Sequence, residues 1–402
     1  MWELLRPGKN RRGQGSGADQ QRSQRRHKAT VLVITVAAIA LLAAVIDPVP
    51  ASAHRASHMK GSKVFRATNL IADNASFAPK LVDGNLTNAW GLAYPPGGPL
   101  WVSDNNSGNA SVYTGGINGG PVTLDLTVPV PGGNPTGQVY NSTGGFPVGG
   151  TGGASAVFIV ASDSIGTTQS PGEIAAWSGG PSFVVEDSPT GGPGGTTPAG
   201  AVFKGLAIAM TATGPELFAT DVANARVDVF NSSFNPLSTP AKFVDPAIPA
   251  GYAPFGIEAL KGNIVVTYGL QNAQKTDVVQ GAGLGYVDIF SVDGMLLKHL
   301  ISGGGSSPLN APWGLAIAPK HFGHLSGKLL VGNLGDGRIN AFNPKNGKFS
   351  GALTGSGGSP IAIDGLWGLK AGNSNFGGTR SVIFSAGPTA YSDGIVGVLT
   401  SG

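Results

Sequence analysis

The chain has 402 residues with Gly 65 and Pro 29, yet only 12% are charged and 41% are hydrophobic. That load of turn formers excludes an ordinary helical protein, while the low charge argues against disorder. Zero cysteines exclude disulfides, thiolate metal sites, cysteine nucleophiles and covalently attached c-type haem. The net charge of +4 is concentrated in residues 1–53, where eight Lys and Arg face three Asp and Glu, leaving 18 against 19 in the remainder. No basic patch is left to suggest nucleic-acid binding.

In chain order the first element is a leader. Arg22, Arg25, Arg26 and Lys28 precede residues 30–46, a run of 17 without a charge, and Ala51-Ser52-Ala53 follows with the small-x-small pattern of a signal-peptidase site. Residues 1–53 are therefore expected to be a signal peptide cleaved after Ala53, with export to the periplasm or the exterior. The alternative is an uncleaved N-terminal membrane anchor, because the apolar run is long for a signal core and short for a span. Arg25-Arg26 fits the twin-arginine pattern poorly. Residues 54–62 read as a linker, and residues 63–402 as one folded body.

Residues 63–70 alternate as a strand would, and stand apart from what comes next. From there one phrase returns six times: Trp90-Gly91-Leu92-Ala93, Thr136-Gly137-Gln138-Val139, Lys204-Gly205-Leu206-Ala207, Phe255-Gly256-Ile257-Glu258, Trp313-Gly314-Leu315-Ala316 and Trp367-Gly368-Leu369-Lys370. The glycines are 46, 68, 51, 58 and 54 residues apart. After each comes a β-prone run, a polar break and a second β-prone run, as in residues 100–104 and 110–113, or 328–333 and 338–342. A further run often closes the unit: residues 122–128, 183–186, 242–245, 296–301 and 348–353. About four strands per unit and no helix make each unit one propeller blade. The fold class is all-β: a six-bladed β-propeller of four-stranded antiparallel blades. The last blade lacks its fourth strand, so residues 63–70 are expected to pair at its outside and close the ring, protecting an edge that would invite aggregation. Two Gly-rich tracts, residues 144–153 and 188–200, read as mobile surface loops.

In a propeller the repeated glycine belongs to the innermost strand. Residues just before the phrase and residues ending the second strand then converge on one mouth of the channel. This places Asn88, Asn310 and Asp364 beside Asp104, Asn105, Asp163, Asp221, Gln271 and Asn333. Such a ring of oxygens suits Ca²⁺, a hard cation taking six to eight oxygen ligands. The plainer reading is that Asp and Asn at strand ends cap turns. Trp90, Trp313 and Trp367 could form an aromatic wall for a flat ligand, but a recurring aromatic before a Gly more often fills the wedge between blades. His321 and His324 have metal-ligand spacing without an evident third ligand, and read as a surface turn on the opposite face. The insertion at residues 277–285 is the longest polar excursion over the mouth, either a lid or a tolerated loop. Nucleophile-elbow, zinc-protease and phosphate-loop motifs are absent.

The segments 88–93, 250–255, 309–316, 330–342 (Leu330-Val331-Gly332-Asn333-Leu334-Gly335-Asp336-Gly337-Arg338-Ile339-Asn340-Ala341-Phe342) and 363–367 resemble a group of exported bacterial proteins. That resemblance spans roughly residues 68–396. It implies six-bladed, NHL-like propellers and supplies no catalytic residues. Two functions of different class follow as expectations. One is a monomeric exported binding module for a protein, glycan or small ligand. The other is a Ca²⁺-dependent propeller hydrolase, lactonase- or esterase-like, or a lyase.

Overall fold

The computed structural model describes residues 62–163, 172–188 and 200–402. The expected signal peptide and all but the last residue of the linker lie outside the described residues. Within them, the strands fall into six sheets, each built on a blade of antiparallel strands. Blade I is Ala89–Ala93, Leu100–Asp104, Asn109–Gly115 and Val122–Pro129, and blade II is Pro135–Tyr140, Phe158–Ser162, Ile174–Trp177 and Val184–Asp187. Blade III is Phe203–Thr211, Gly214–Asp221, Arg226–Phe230 and Pro236–Leu237, and blade IV is Tyr252–Leu260, Asn263–Gln271, Tyr286–Phe290 and Leu296–Ile301. Blade V is Pro312–Ile317, Leu329–Asn333, Ile339–Phe342 and Phe349–Ala352. Blade VI is Leu366–Ala371, Val382–Ala386 and Ile395–Ser401, completed by the N-terminal strand Phe65–Ala72.

That last pairing is the ring closure expected from the unassigned alternating run. Phe65 lies opposite Ser401 and Ala72 opposite Ile395, antiparallel along the whole strand. The short strand Leu81–Val82 then pairs parallel to Phe65–Ala72 and covers its outer edge.

The repeated glycine has a definite mechanical cause. Each inner strand carries a register shift at the phrase. A Cβ added at Gly91 would lie 2.3 Å from the Thr136 carbonyl oxygen of the next blade, at Gly256 2.1 Å from that of Trp313, and at Gly314 2.5 Å from that of Trp367. The contact passes from blade to blade round the circle and returns, with Gly368 against the backbone of Trp90. Backbone meets backbone here, so no side chain can yield to make room.

A hydroxyl from the second strand locks the same junction in three blades. Thr220 Oγ1 accepts from Gly205 N–H at 2.7 Å and donates to the Phe255 carbonyl at 2.8 Å. Thr267 Oγ1 accepts from Gly256 N–H at 2.9 Å and donates to the Pro312 carbonyl at 2.6 Å. Ser385 Oγ accepts from Gly368 N–H at 2.8 Å and donates to the Trp90 carbonyl, closing the ring onto blade I. Each hydroxyl satisfies a donor that the register shift leaves off its ladder.

Three expectations need correction. Residues 242–245 are not the outer strand of blade III; that strand is Pro236–Leu237, and residues 242–245 belong to the irregular connection to blade IV, flanked by Pro240 and Pro246. Phe243 from this connection sits between blades, its ring 5.2 Å from Phe218 and 5.3 Å from Phe290. Secondly, residues 144–153 are docked: Phe146 is buried against Phe234 at 5.1 Å, and Gly149 N–H donates to Glu186 Oε1 at 2.7 Å. Of the second Gly-rich tract, residues 189–199 lie outside the described residues. Thirdly, the wedge between blades I and II is filled by Trp101 on Phe158, stacked at 4.1 Å, and not by the repeated tryptophans.

Candidate ligand site at the channel mouth

Trp90, Trp313 and Trp367 are buried, as packing residues would be, but they pack on one another across the ring. Trp90 stacks on Trp367 with centroids 3.5 Å apart, and Trp313 meets the two edge-on at 5.9 and 6.0 Å. Phe255, at the same position of its own phrase, joins at 6.1 Å from Trp367. Blades I, IV, V and VI thus each send an aromatic into one plug. The plug reaches across the ring because the residue before the glycine faces inward while the glycine faces the neighbouring blade. Deeper along the inner strands, Gly91, Gln138, Ile257 and Leu369 line a cavity of only about 30 Å³, room for roughly one water.

Blade III places Lys204 at the same position. Its Nζ stands 5.0 Å from the Trp90 ring and pairs with Asp163 Oδ2 at 2.8 Å and Asp277 Oδ2 at 3.7 Å. Burial opposes the ammonium charge, but the two carboxylates outweigh it and hold the Lys204 pKa above the ordinary lysine range. Lys204 is thus held as a cation by its two carboxylate partners. The sequence shows Lys204 only as one variant of the phrase; what marks it is a charge in a position otherwise mostly aromatic.

The expected ring of oxygens does not converge. Asn88 Nδ2 donates to Asn105 Oδ1 at 3.1 Å, and Asn88 Oδ1 accepts from Trp367 Nε1 at 3.0 Å. Asn105 Nδ2 spends itself on the Pro135 carbonyl. Asp104 turns into blade I, where Ser111 Oγ donates to its Oδ2 at 2.5 Å. Complete burial drives the Asp104 pKa well above the carboxylate range, the Ser111 hydrogen bond only partly opposing it. Asp221 accepts from the N–H groups of Val202 and Asn224 as a turn cap. Asn333 Nδ2 donates to the Pro308 carbonyl and Asp336, Gln271 Nε2 donates to the Val222 carbonyl, and Asn310 Oδ1 accepts from Gly281 N–H. Asp364 Oδ2 accepts from Thr389 N–H at 3.0 Å. These side chains turn to separate local partners, and Asp163 already faces a cation, so the set does not gather its oxygens round one point as a Ca²⁺ ion requires.

Tyr391 stands over the plug and was not legible in advance. Its ring centroid lies 5.7 Å from Trp367. It ends a turn in which Thr389, Ala390 and Tyr391 have φ of 56, 52 and 69°, three successive non-glycine residues in the left-handed region. Each such residue costs roughly 1–2 kcal/mol, so the surroundings must impose the turn. Asn106 Nδ2 donates to the Tyr391 carbonyl at 2.6 Å, and Gln280 Nε2 to its hydroxyl at 2.8 Å. Gln280 belongs to the insertion at residues 277–285, which does lie at the mouth: Val278 enters the plug and Asp277 faces Lys204. Beside Tyr391 opens a cavity of about 570 Å³, lined by Gln280, Asp336, Asp364 and the backbone of Gly335, Gly337 and Gly365.

His321 and His324 lie in the turn between the first two strands of blade V, at the other end of the inner strand. His324 Nδ1 is 3.0 Å from the Ser62 carbonyl, which ties the turn to the start of the closing strand.

With this geometry in view, comparison with known proteins identifies relatives. The chain is 32% identical over 342 residues to uncharacterized protein R648 of Acanthamoeba polyphaga mimivirus, covering 82% of this chain and 78% of that protein. Protein L690 of the same virus is 30% identical over 343 residues, covering 82% and 84%. The chain belongs to the family of these two proteins. These relatives are viral, whereas the motif resemblance pointed to bacterial proteins. No family model matches the chain. Among solved structures, the α-L-arabinanase of Penicillium chrysogenum in complex with arabinobiose superposes with a TM-score of 0.52 at 14% identity, covering 78% of this chain and 93% of that one. At that identity the likeness concerns the propeller fold alone.

Proposed function

We propose that this protein is an exported binding module whose site is the channel mouth beside Tyr391, and that its ligand is a polar, hydroxyl-rich molecule of glycan type. The observation that carries the reading is the strained turn at residues 389–391, which holds an aromatic ring at the edge of a cavity furnished with two carboxylates and an amide. Left-handed backbone at non-glycine residues persists where a structure over-determines it, and such sites gather at ligand clamps. The aromatic face offers stacking, and Asp336, Asp364 and Gln280 offer acceptors and a donor for hydroxyl groups. The plug beneath shuts the channel, so a ligand rests on the mouth and does not pass through. A Ca²⁺-dependent hydrolase would need several carboxylates turned on one point, whereas Asp104, Asp163 and Asp221 each turn to a different partner.

The plug also provides the assay. A ligand seated on Tyr391 lies above the Trp90–Trp367 stack, so oligosaccharide arrays followed by tryptophan-fluorescence titration should give a saturable change. The change should vanish in Tyr391→Ala and weaken in Asp364→Asn. Saturable binding that persists in both variants would place the site elsewhere. Export is tested by intact mass of the secreted chain, which on this reading begins at His54.

A further inference from the structure

A second cluster lies between blades III and IV, away from the mouth. Asp288, on the third strand of blade IV, pairs across the sheet with His299 on the fourth. Asp245 comes from the connection between blades III and IV. His299 Nδ1 is 2.7 Å from Asp245 Oδ2 and 3.0 Å from Asp288 Oδ1, and the three ligand atoms lie within 4.8 Å of one another. Asp288 is completely buried, yet neither of its carboxylate oxygens has a sound hydrogen bond. The Tyr268 hydroxyl, also buried, stands beside Asp288 without a satisfied hydrogen bond, and the Asp288 and Asp245 charges both reach it.

One imidazole nitrogen faces two carboxylates and has a single proton to give. Asp245 takes it at the shorter distance, so buried Asp288 keeps only its ion-pair contact with His299 and no hydrogen bond. Native proteins rarely leave a buried carboxylate without a hydrogen-bond donor. The second imidazole nitrogen is already directed. His299 Nε2 lies 3.0 Å from Ser302 Oγ, so once an ion displaces the Nδ1 proton, an Nε2–H donated there leaves the Nδ1 lone pair facing the carboxylates. This is the arrangement in which a metal-binding histidine is fixed by its other nitrogen. His299 is partly exposed at 27%, which leaves a way in.

We propose that Asp245, Asp288 and His299 form a binding site for one divalent transition-metal ion of zinc type. One imidazole nitrogen with two carboxylate oxygens suits zinc and its neighbours better than Ca²⁺, which takes oxygen alone. A tetrahedral ion with bonds of about 2.1 Å keeps its ligands about 3.4 Å apart, so the cluster has only to open by about half an ångström. The ion gives Asp288 its missing partner and pins the connection from blade III to blade IV. The site does not depend on what the mouth binds.

The test uses the full-length chain, stripped with chelator and titrated with Zn²⁺, and separately with Co²⁺ for its visible absorption. Binding of one ion per chain is expected, with a raised thermal midpoint and a Co²⁺ band typical of a four-coordinate N/O site. Asp288→Asn and His299→Ala should each weaken binding at least tenfold, and Ser302→Ala, which leaves all three ligands in place, by about tenfold. The double variant His321→Ala/His324→Ala should bind as the parent does, since that turn is a separate feature. No uptake at about 100 µM Zn²⁺, an affinity weaker than about −5.5 kcal/mol, would overturn the proposal. So would uptake unchanged in His299→Ala, or lost only in the double variant. Should Asp288→Asn fail to fold, the parent's Co²⁺ spectrum and the Ser302→Ala affinity decide the matter.

Discussion

Replacing Thr267 with valine tests whether the hydroxyl at the junction of blades IV and V holds them together. Valine keeps the shape and loses the oxygen, so Gly256 N–H is left without its acceptor and the Pro312 carbonyl without this donor. Both sit beside the buried Thr267. Leaving a buried donor or acceptor unsatisfied costs about 1–3 kcal/mol, and the extra methyl recovers about 0.8 kcal/mol. For the two groups together, less the methyl, the net destabilisation should be about 1–5 kcal/mol. For the roughly 320 described residues the unfolding entropy is about 0.7 kcal/mol/K, so the thermal midpoint should fall by about 2–7 °C. Thr267→Ser keeps the oxygen and drops only a methyl, so it should cost about 1 kcal/mol. Urea unfolding of the three proteins, followed by tryptophan fluorescence, measures the differences. If Thr267→Val stays within about 0.5 kcal/mol of the parent, or unfolds no earlier than Thr267→Ser, the bridging role fails.

Gly256→Ala puts a Cβ 2.1 Å from the Trp313 carbonyl oxygen, and should cost at least the roughly 1–3 kcal/mol of an overpacked core. Gly355→Ala, with nothing nearer than 3.9 Å, should be silent in the same melting experiment. Asp228 has its pKa raised to about 7 by burial first and by the Asp221 charge second, against the pull of Arg226. The folded state therefore holds a proton that the unfolded state gives up near pH 4, and this contribution is full below pH 4 and lost as pH rises through 7. Asp228→Asn, neutral throughout, should gain stability relative to the parent as pH rises from about 4 to about 7, by about 1.4 kcal/mol for each unit of the shift; parallel pH–stability curves would refute the assignment. Removal of residues 1–73 leaves Ile395–Ser401 an open edge, so the shortened chain should be oligomeric or insoluble by size-exclusion chromatography, and a monomeric, cooperative product would contradict the closure argument.

The blades were legible because they rest on local signals: period-two alternation, turn residues, and a glycine demanded six times by the same contact. Ring closure was legible by subtraction, since one blade lacked a strand and one strand lacked a blade. The candidate site was much less so. Asn88, Asp104, Asp163 and Asp221 were placed by their position at strand ends, yet side chains at equivalent positions point to different partners. Asp104 turns to Ser111 inside its blade and Asp163 to Lys204 across the neighbouring one. Strand position does not determine that choice; the residue opposite does, and it is set by tertiary register. Tyr391 escaped notice for a related reason. Nothing in Pro388-Thr389-Ala390-Tyr391 asks for left-handed backbone, which Asp364, Asn106 and Gln280 impose from three distant parts of the chain. Asp245 escaped because its segment looked like a strand; two flanking prolines took it out of the sheet and set it beside His299.

The phrase therefore separates two tasks that a single motif seemed to combine. Its glycine faces the next blade and cannot vary without pushing the ring open. The residue before the glycine faces inward, where space and chemistry are shared with five counterparts and no one blade dictates the choice. That freedom explains why the position holds three tryptophans, a phenylalanine, a lysine and a threonine while the glycine never changes. Thr136, the smallest of the six, turns its hydroxyl to the carbonyls of Ala161 and Phe203 and adds nothing to the plug. Lys204 brings a charge that needs Asp163 and Asp277, and so ties the blade IV insertion to the mouth. Exchanging Lys204 for methionine would leave Asp163, 5% exposed, as a carboxylate without its cation. That variant should lose more stability than Asp163→Asn/Lys204→Met, in which neither charge remains. An equal loss in the two proteins would show that the pair contributes only its packing.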